Sequence, residues 1–168
     1  VDATDGSLIW ESATASAGYV EDAMTYSMPA TPRTLDLNFD GYVDQIYLSD
    51  TGGQLWRFDV FNTNTNVSQL VRGGIIGQFA SGSGTSNTAN HRRFYEKPDV
   101  ALISSNHFSV NIGSGWRYYP LDTTIQDEFY HIEIPTLWRY CLIHPEGARR
   151  SLYSYQNHRH VHTRETLS

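Results

Sequence analysis

The residues best suited to chemistry stand together in Asp36-Leu37-Asn38-Phe39-Asp40-Gly41-Tyr42-Val43-Asp44. Oxygen-bearing side chains fall at positions 1, 3, 5 and 9 of this stretch, with a glycine at position 6. At this spacing one tight loop can wrap a hard cation. Alternate residues turn their oxygens inward, and the glycine permits the sharp turn. Asp36, Asn38, Asp40 and Asp44 are therefore candidate side-chain ligands, and Tyr42 a candidate carbonyl ligand. A full EF-hand loop carries a bidentate Glu at position 12, where this chain has Tyr47. Asp44 must then close the coordination, as in the shorter calcium loops set between β-strands. The competing reading is a polar turn that binds nothing. Four oxygen-bearing positions in register with the glycine favour Ca²⁺.

Other candidates are weaker. Ser81-Gly82-Ser83-Gly84-Thr85-Ser86-Asn87 resembles a phosphate cradle only in composition, because it lacks the GK[ST] ending and a following helix pattern. It reads as a flexible surface loop. His158, His160 and His162 alternate, so an extended chain would set all three on one side as a transition-metal site. An exposed polar tail explains them better. Cys141 is the only cysteine, which excludes intrachain disulfides and Cys-based zinc sites. No GxSxG, HExxH or Cys/His pairing points to an enzyme, and none is expected.

The elements that must position the loop read as strands. Composition is rich in Tyr, Trp, Thr, Ser, Asn and Gly, with Lys97 the single lysine, favouring strands and polar turns over helices. Gln45-Ile46-Tyr47-Leu48 follows the loop as a strand, the Thr51-Gly52-Gly53 turn comes next, and a strand runs from Gln54 to Phe61. Val100–Ile103 and Phe108–Ile112 form a hairpin around residues 104–107, and Phe129-Tyr130-His131-Ile132 resumes a strand. Asp5-Gly6 makes a turn into Leu8-Ile9-Trp10, a short strand entering a core. Gly6 to Gly52 and Trp10 to Trp56 are both 46 residues apart, a period that points to repeated four-stranded blades. Trp10 and Trp56 are then packing residues.

Charge and pattern divide the chain. Residues 1–130 hold 15 acids against 7 Lys/Arg, whereas residues 131–168 hold 3 acids against 5 Arg. The acidic body argues against nucleic-acid binding and suits a cation-binding, exported protein. No run of about 18 apolar residues exists, so no transmembrane segment is expected. The chain opens as if inside a β-hairpin and is expected to be a fragment. We assign residues 1–132 to a propeller fragment and 133–168 to an irregular or divergent tail.

Residues 36–60 resemble the calcium-loop blade of the PilY family, large exported proteins of the type IV pilus machinery with a C-terminal β-propeller. Residues 93–101 are similar to the following blade, as are Gly113-Ser114-Gly115-Trp116-Arg117, Pro120-Leu121-Asp122 and Asp127-Glu128-Phe129-Tyr130. The resemblance covers roughly residues 1–132. It implies an all-β, partial β-propeller with quinoprotein-like blades and a calcium-binding loop. It also implies a role in pilus extension against retraction and in surface attachment. Partners would be pilins and minor pilins, and a host or abiotic surface. The location would be the pilus tip, outer membrane or surface of a Gram-negative cell. Two alternatives stand beside it. A quinoprotein (PQQ-type) dehydrogenase fragment needs an adjacent cysteine pair or equivalent contacts and catalytic carboxylates around a funnel. A purely structural propeller needs only a turn at the loop.

Overall fold

The computed structural model describes residues 2, 4–12, 23–80, 91–125 and 127–136. Arg33–Leu35 (β1), Gln45–Ser49 (β2), Gln54–Val60 (β3) and Val71–Gln78 (β4) pair antiparallel, in chain order, into one sheet. Asp99–Ser104 (β5), His107–Gly113 (β6) and Phe129–Pro135 (β7) form a second antiparallel sheet, also in chain order. A 3-10 turn at Val67–Gln69 leads into β4, capped by Asn66, whose Oδ1 accepts Ser68 N at 3.0 Å. No α-helix occurs among the described residues, and none of their helices is long and apolar enough to cross a membrane. The fold is all-β.

The first sheet is covered on both faces because side chains alternate along its strands. Tyr47 and Leu55 point into a core shared by the two sheets, with Phe94, Val100, Phe108, Val110, Ile112 and Ile134. Trp56 and Phe58 turn the other way and join Val71, Ile46, Leu48 and Ile75, with Trp10, Met24 and Met28 laid over them. Each large apolar side chain removed from water in this way contributes roughly 1.5–3 kcal/mol. Gly73 is required opposite Phe58, since a Cβ there would stand 2.0 Å from Arg57 O.

Two expectations change. Leu8-Ile9-Trp10 is not a strand: Leu8 and Ile9 are 58% and 43% exposed, and Trp10 alone packs, edge-on to Phe58 at 6.2 Å. The turn before it closes on itself, Asp2 N donating to Ser7 O and Gly6 N to Asp2 O. The strand expected to end at Ile132 continues to Pro135, because Glu133 pairs with Ser109 and Ile134, buried, pairs with Phe108. The rest of the proposed tail, with Cys141, His158, His160 and His162, lies outside the described residues, as does the loop at residues 81–87.

Candidate functional site

The loop between β1 and β2 is wound around its own side chains. Asp36 leaves β1 and accepts two amides, Phe39 N on Oδ1 at 2.7 Å and Gly41 N on Oδ2 at 2.9 Å. Asn38 Oδ1 accepts Asp40 N at 3.0 Å, and Asp40 Oδ1 accepts Tyr42 N at 2.9 Å. Asn38 Nδ2 donates to Asp40 Oδ2 at 2.9 Å. Asp44 Oδ2 reaches back to Leu37 N at 2.7 Å. These bonds demand two left-handed residues, Phe39 at φ 61° and Gly41 at φ 90°. Glycine takes that conformation at no steric cost, whereas Phe39 is held there by its neighbours' bonds.

All the sequence-predicted ligand residues therefore share one loop, but the carboxylates turn toward main-chain amides. Among the described residues, no three His, Cys, Asp or Glu side chains stand together as a metal-holding group. The donor chemistry nonetheless fits a hard cation. Every candidate atom is an oxygen, three of the side chains are carboxylates, and each carboxylate has lone pairs beyond its amide bonds. Tyr42 is 65% and Phe39 90% exposed, so the loop's apolar side chains point to solvent while its polar ones point to its own backbone.

Asp44 also anchors the sheet. Its N–H donates to Leu35 O, and its C=O accepts Val60 N, both at 2.8 Å, so it continues the β1–β2 and β2–β3 ladders by one residue. Asn62 Nδ2 adds a bond to Val43 O at 3.0 Å.

Sequence reasoning passed over two buried polar groups. Asp50, fully buried at the end of β2, accepts Gly52 N and Gln54 N on Oδ1 at 2.9 Å, and Trp56 Nε1 on Oδ2 at 3.0 Å. Its carbonyl accepts Phe94 N at 3.1 Å. Burial pushes its pKa up, opposed by the donors from Trp56, Gln54 and Gly52. The second group centres on Arg57, paired through Nε with Asp59 Oδ1 at 2.8 Å. Burial is also the larger influence on Asp59 and raises its pKa, with Arg57 pulling the other way. Tyr47 Oη donates to Gln45 Oε1 at 3.0 Å, and burial pushes that phenol up to about 12. An arginine inside the apolar alternation of β3 was the available signal for the second group, whereas Asp50, in the turn after β2, left none.

No family model and no curated protein matches this chain. Among solved structures it is similar to the crystal structure of the Pseudomonas aeruginosa PilY1 C-terminal domain. Identity is 25%, the TM-score 0.37, and the match covers 51% of this chain and 20% of that one. It is a weak neighbour. The matched part spans a fifth of that domain's length.

Proposed function

We propose that this chain is a blade-bearing piece of a calcium-binding β-propeller, from an exported, PilY-like adhesin or assembly factor of the type IV pilus. The observation that carries the reading is the loop at Asp36–Asp44, built into the first sheet through the main chain of Asp44. Four antiparallel strands in chain order give that sheet the strand count and order of one blade. Pilins and minor pilins are the partners this reading implies, with attachment to a surface as the second role. No residue is assigned covalent chemistry.

Asp36, Asn38, Asp40 and Asp44 would hold the ion through side-chain oxygens, and Tyr42 through its carbonyl. Bound calcium supplies positive charge that offsets three carboxylates. Without such an offset, Asp36, Asp40 and Asp44 repel one another within nine residues, and the amides of Leu37, Phe39, Gly41 and Tyr42 partly screen them. The smaller Mg²⁺ is disfavoured because it demands a tight octahedral shell and dehydrates reluctantly.

Calorimetric titration of the full chain with calcium chloride tests the reading. One site is expected, with affinity on the order of 10⁻⁷ to 10⁻³ M. Asp44→Ala is expected to abolish it, since Tyr47 offers no carboxylate in replacement. Unchanged affinity in Asp44→Ala, or no heat at millimolar calcium in the parent, would return the loop to an ordinary turn.

A further inference from the structure

Three donors converge on the carbonyls of Pro135, the last residue of β7, and of Thr136 after it. Arg57 Nη1 donates to Pro135 O at 2.9 Å and Nη2 to Thr136 O at 3.0 Å, and Gln45 Nε2 also reaches Thr136 O at 3.4 Å. Gln45 and Arg57 are 3% and 2% exposed, so the donor side of this clamp is buried, while Pro135 on the acceptor side is exposed. Asp59 fixes the guanidinium from one side, and Gln45 stands opposite Asp59 in the β2–β3 register. Gln45 is also the residue directly after Asp44. The residue whose carboxylate closes the loop and the residue whose side-chain amide holds the end of the second sheet's last strand are therefore neighbours in the chain.

We infer that the loop and the end of β7 form one coupled unit, in which cation binding at Asp44 tightens the Gln45–Arg57 clamp on Pro135 and Thr136. The inference rests on the calcium reading of the loop and names what that site regulates. Fixing the Asp44 side chain narrows the conformations of its main chain, which already bonds Leu35 and Val60. Gln45 then begins β2 from a fixed origin, and its amide holds Thr136 O more of the time. Val60 lies one residue from Asp59, so β3 transmits the same restriction to Arg57 from the other side. Coupling is reciprocal. Breaking the clamp must weaken cation binding by the factor that cation binding strengthens the clamp.

Hydrogen exchange on the full chain, in calcium chloride against EGTA, reads both ends at once. Amides of residues 36–44 and of residues 129–134 are expected to gain protection with one shared calcium midpoint. In Gln45→Leu the loop still gains protection, β7 does not, and the midpoint moves about fivefold or more to higher calcium. Arg57→Lys, which keeps a charge against Asp59 but loses the fork, is the second variant and is expected to behave alike. The parent alone decides if neither variant folds. Loop protection without any change in β7 overturns the coupling and leaves the calcium site standing. No gain at either end overturns the calcium site and the coupling together.

Discussion

Asp50 and Asp5 look alike in sequence, each an acid beside a glycine turn that precedes a tryptophan. Their surroundings separate them. Asp50 accepts three donors in a buried turn, including the indole of Trp56, which is itself fully buried and stacked 6.3 Å from Phe58. Asp5 accepts Ser7 N, at 2.8 Å, on the surface. Forty-six residues before Asp50 stands Thr4, so the first turn keeps the glycine and tryptophan of the second but not its carboxylate. Asp50→Ala leaves the buried Gln54 amide and Trp56 indole N–H unpaired, with the half-buried Gly52 amide, at roughly 1–3 kcal/mol for each buried unsatisfied group. Urea unfolding is expected to show a loss of at least about 2 kcal/mol for Asp50→Ala, while Asp5→Ala leaves the midpoint near that of the parent. Equal losses at the two positions would mean that the indole–carboxylate bond contributes little. The cation-loop residues could be named from sequence because their spacing is a property of one short segment. Asp50 could not be, because its role depends on where Trp56 and Phe94 lie in three dimensions.

The strands β2, β3, β5 and β6 were legible because alternation and turn residues mark them, and β2 and β3 end within a residue of where the sequence places them. The strand β4 was not. Val71-Arg72-Gly73-Gly74-Ile75-Ile76-Gly77 carries three glycines, which hide the period-2 pattern and weaken strand propensity. The structure shows why Gly73 is there, since β3 main chain lies where its side chain would be. The turn between β2 and β3 has a similar constraint. Gly53 sits at φ 79°, and a Cβ on it would stand 2.9 Å from both Ala80 N and Arg92 O. Gly41, in the cation loop, has φ 90° but open space around its Cβ. Gly53→Ala is therefore expected to cost more than Gly41→Ala, since both bear left-handed strain of roughly 1 kcal/mol and only Gly53 adds a main-chain clash. Thermal unfolding of the two variants measures the difference. A larger loss at Gly41 would show that the Gly53 turn relaxes freely, and that the Ala80 and Arg92 segments do not confine it.

At the scale of the whole molecule, the two sheets are joined by an apolar core and by a polar seam running from Tyr47 through Gln45 to Arg57. All-β character and strand order within each sheet follow from local pattern, but this seam joins residues about 80–90 apart in the chain and leaves no local trace. Tyr47 gives it a pH signature. The side chain is fully buried, and burial pushes the phenol from 10.0 up to about 12, with Asp59 adding to the rise and Arg57 opposing it. Below pH 10 the phenol is neutral in both the folded and unfolded chain. Between about 10 and 12 the unfolded chain ionises first, so the folded state loses stability as pH rises through this window. The shift corresponds to a loss on the order of 2 kcal/mol at the upper end. Tyr130, also raised to about 12, keeps its own contribution in a Tyr47→Phe variant. That variant is expected to lose about 1 kcal/mol at neutral pH with the bond to Gln45. It is then expected to fall less steeply than the parent between pH 10 and 12. Denaturant titrations across this range, with tyrosinate absorbance recorded alongside, give both slopes. Identical alkaline slopes in parent and Tyr47→Phe would mean that the Tyr47 phenol ionises as readily folded as unfolded, and that water reaches the seam between the sheets.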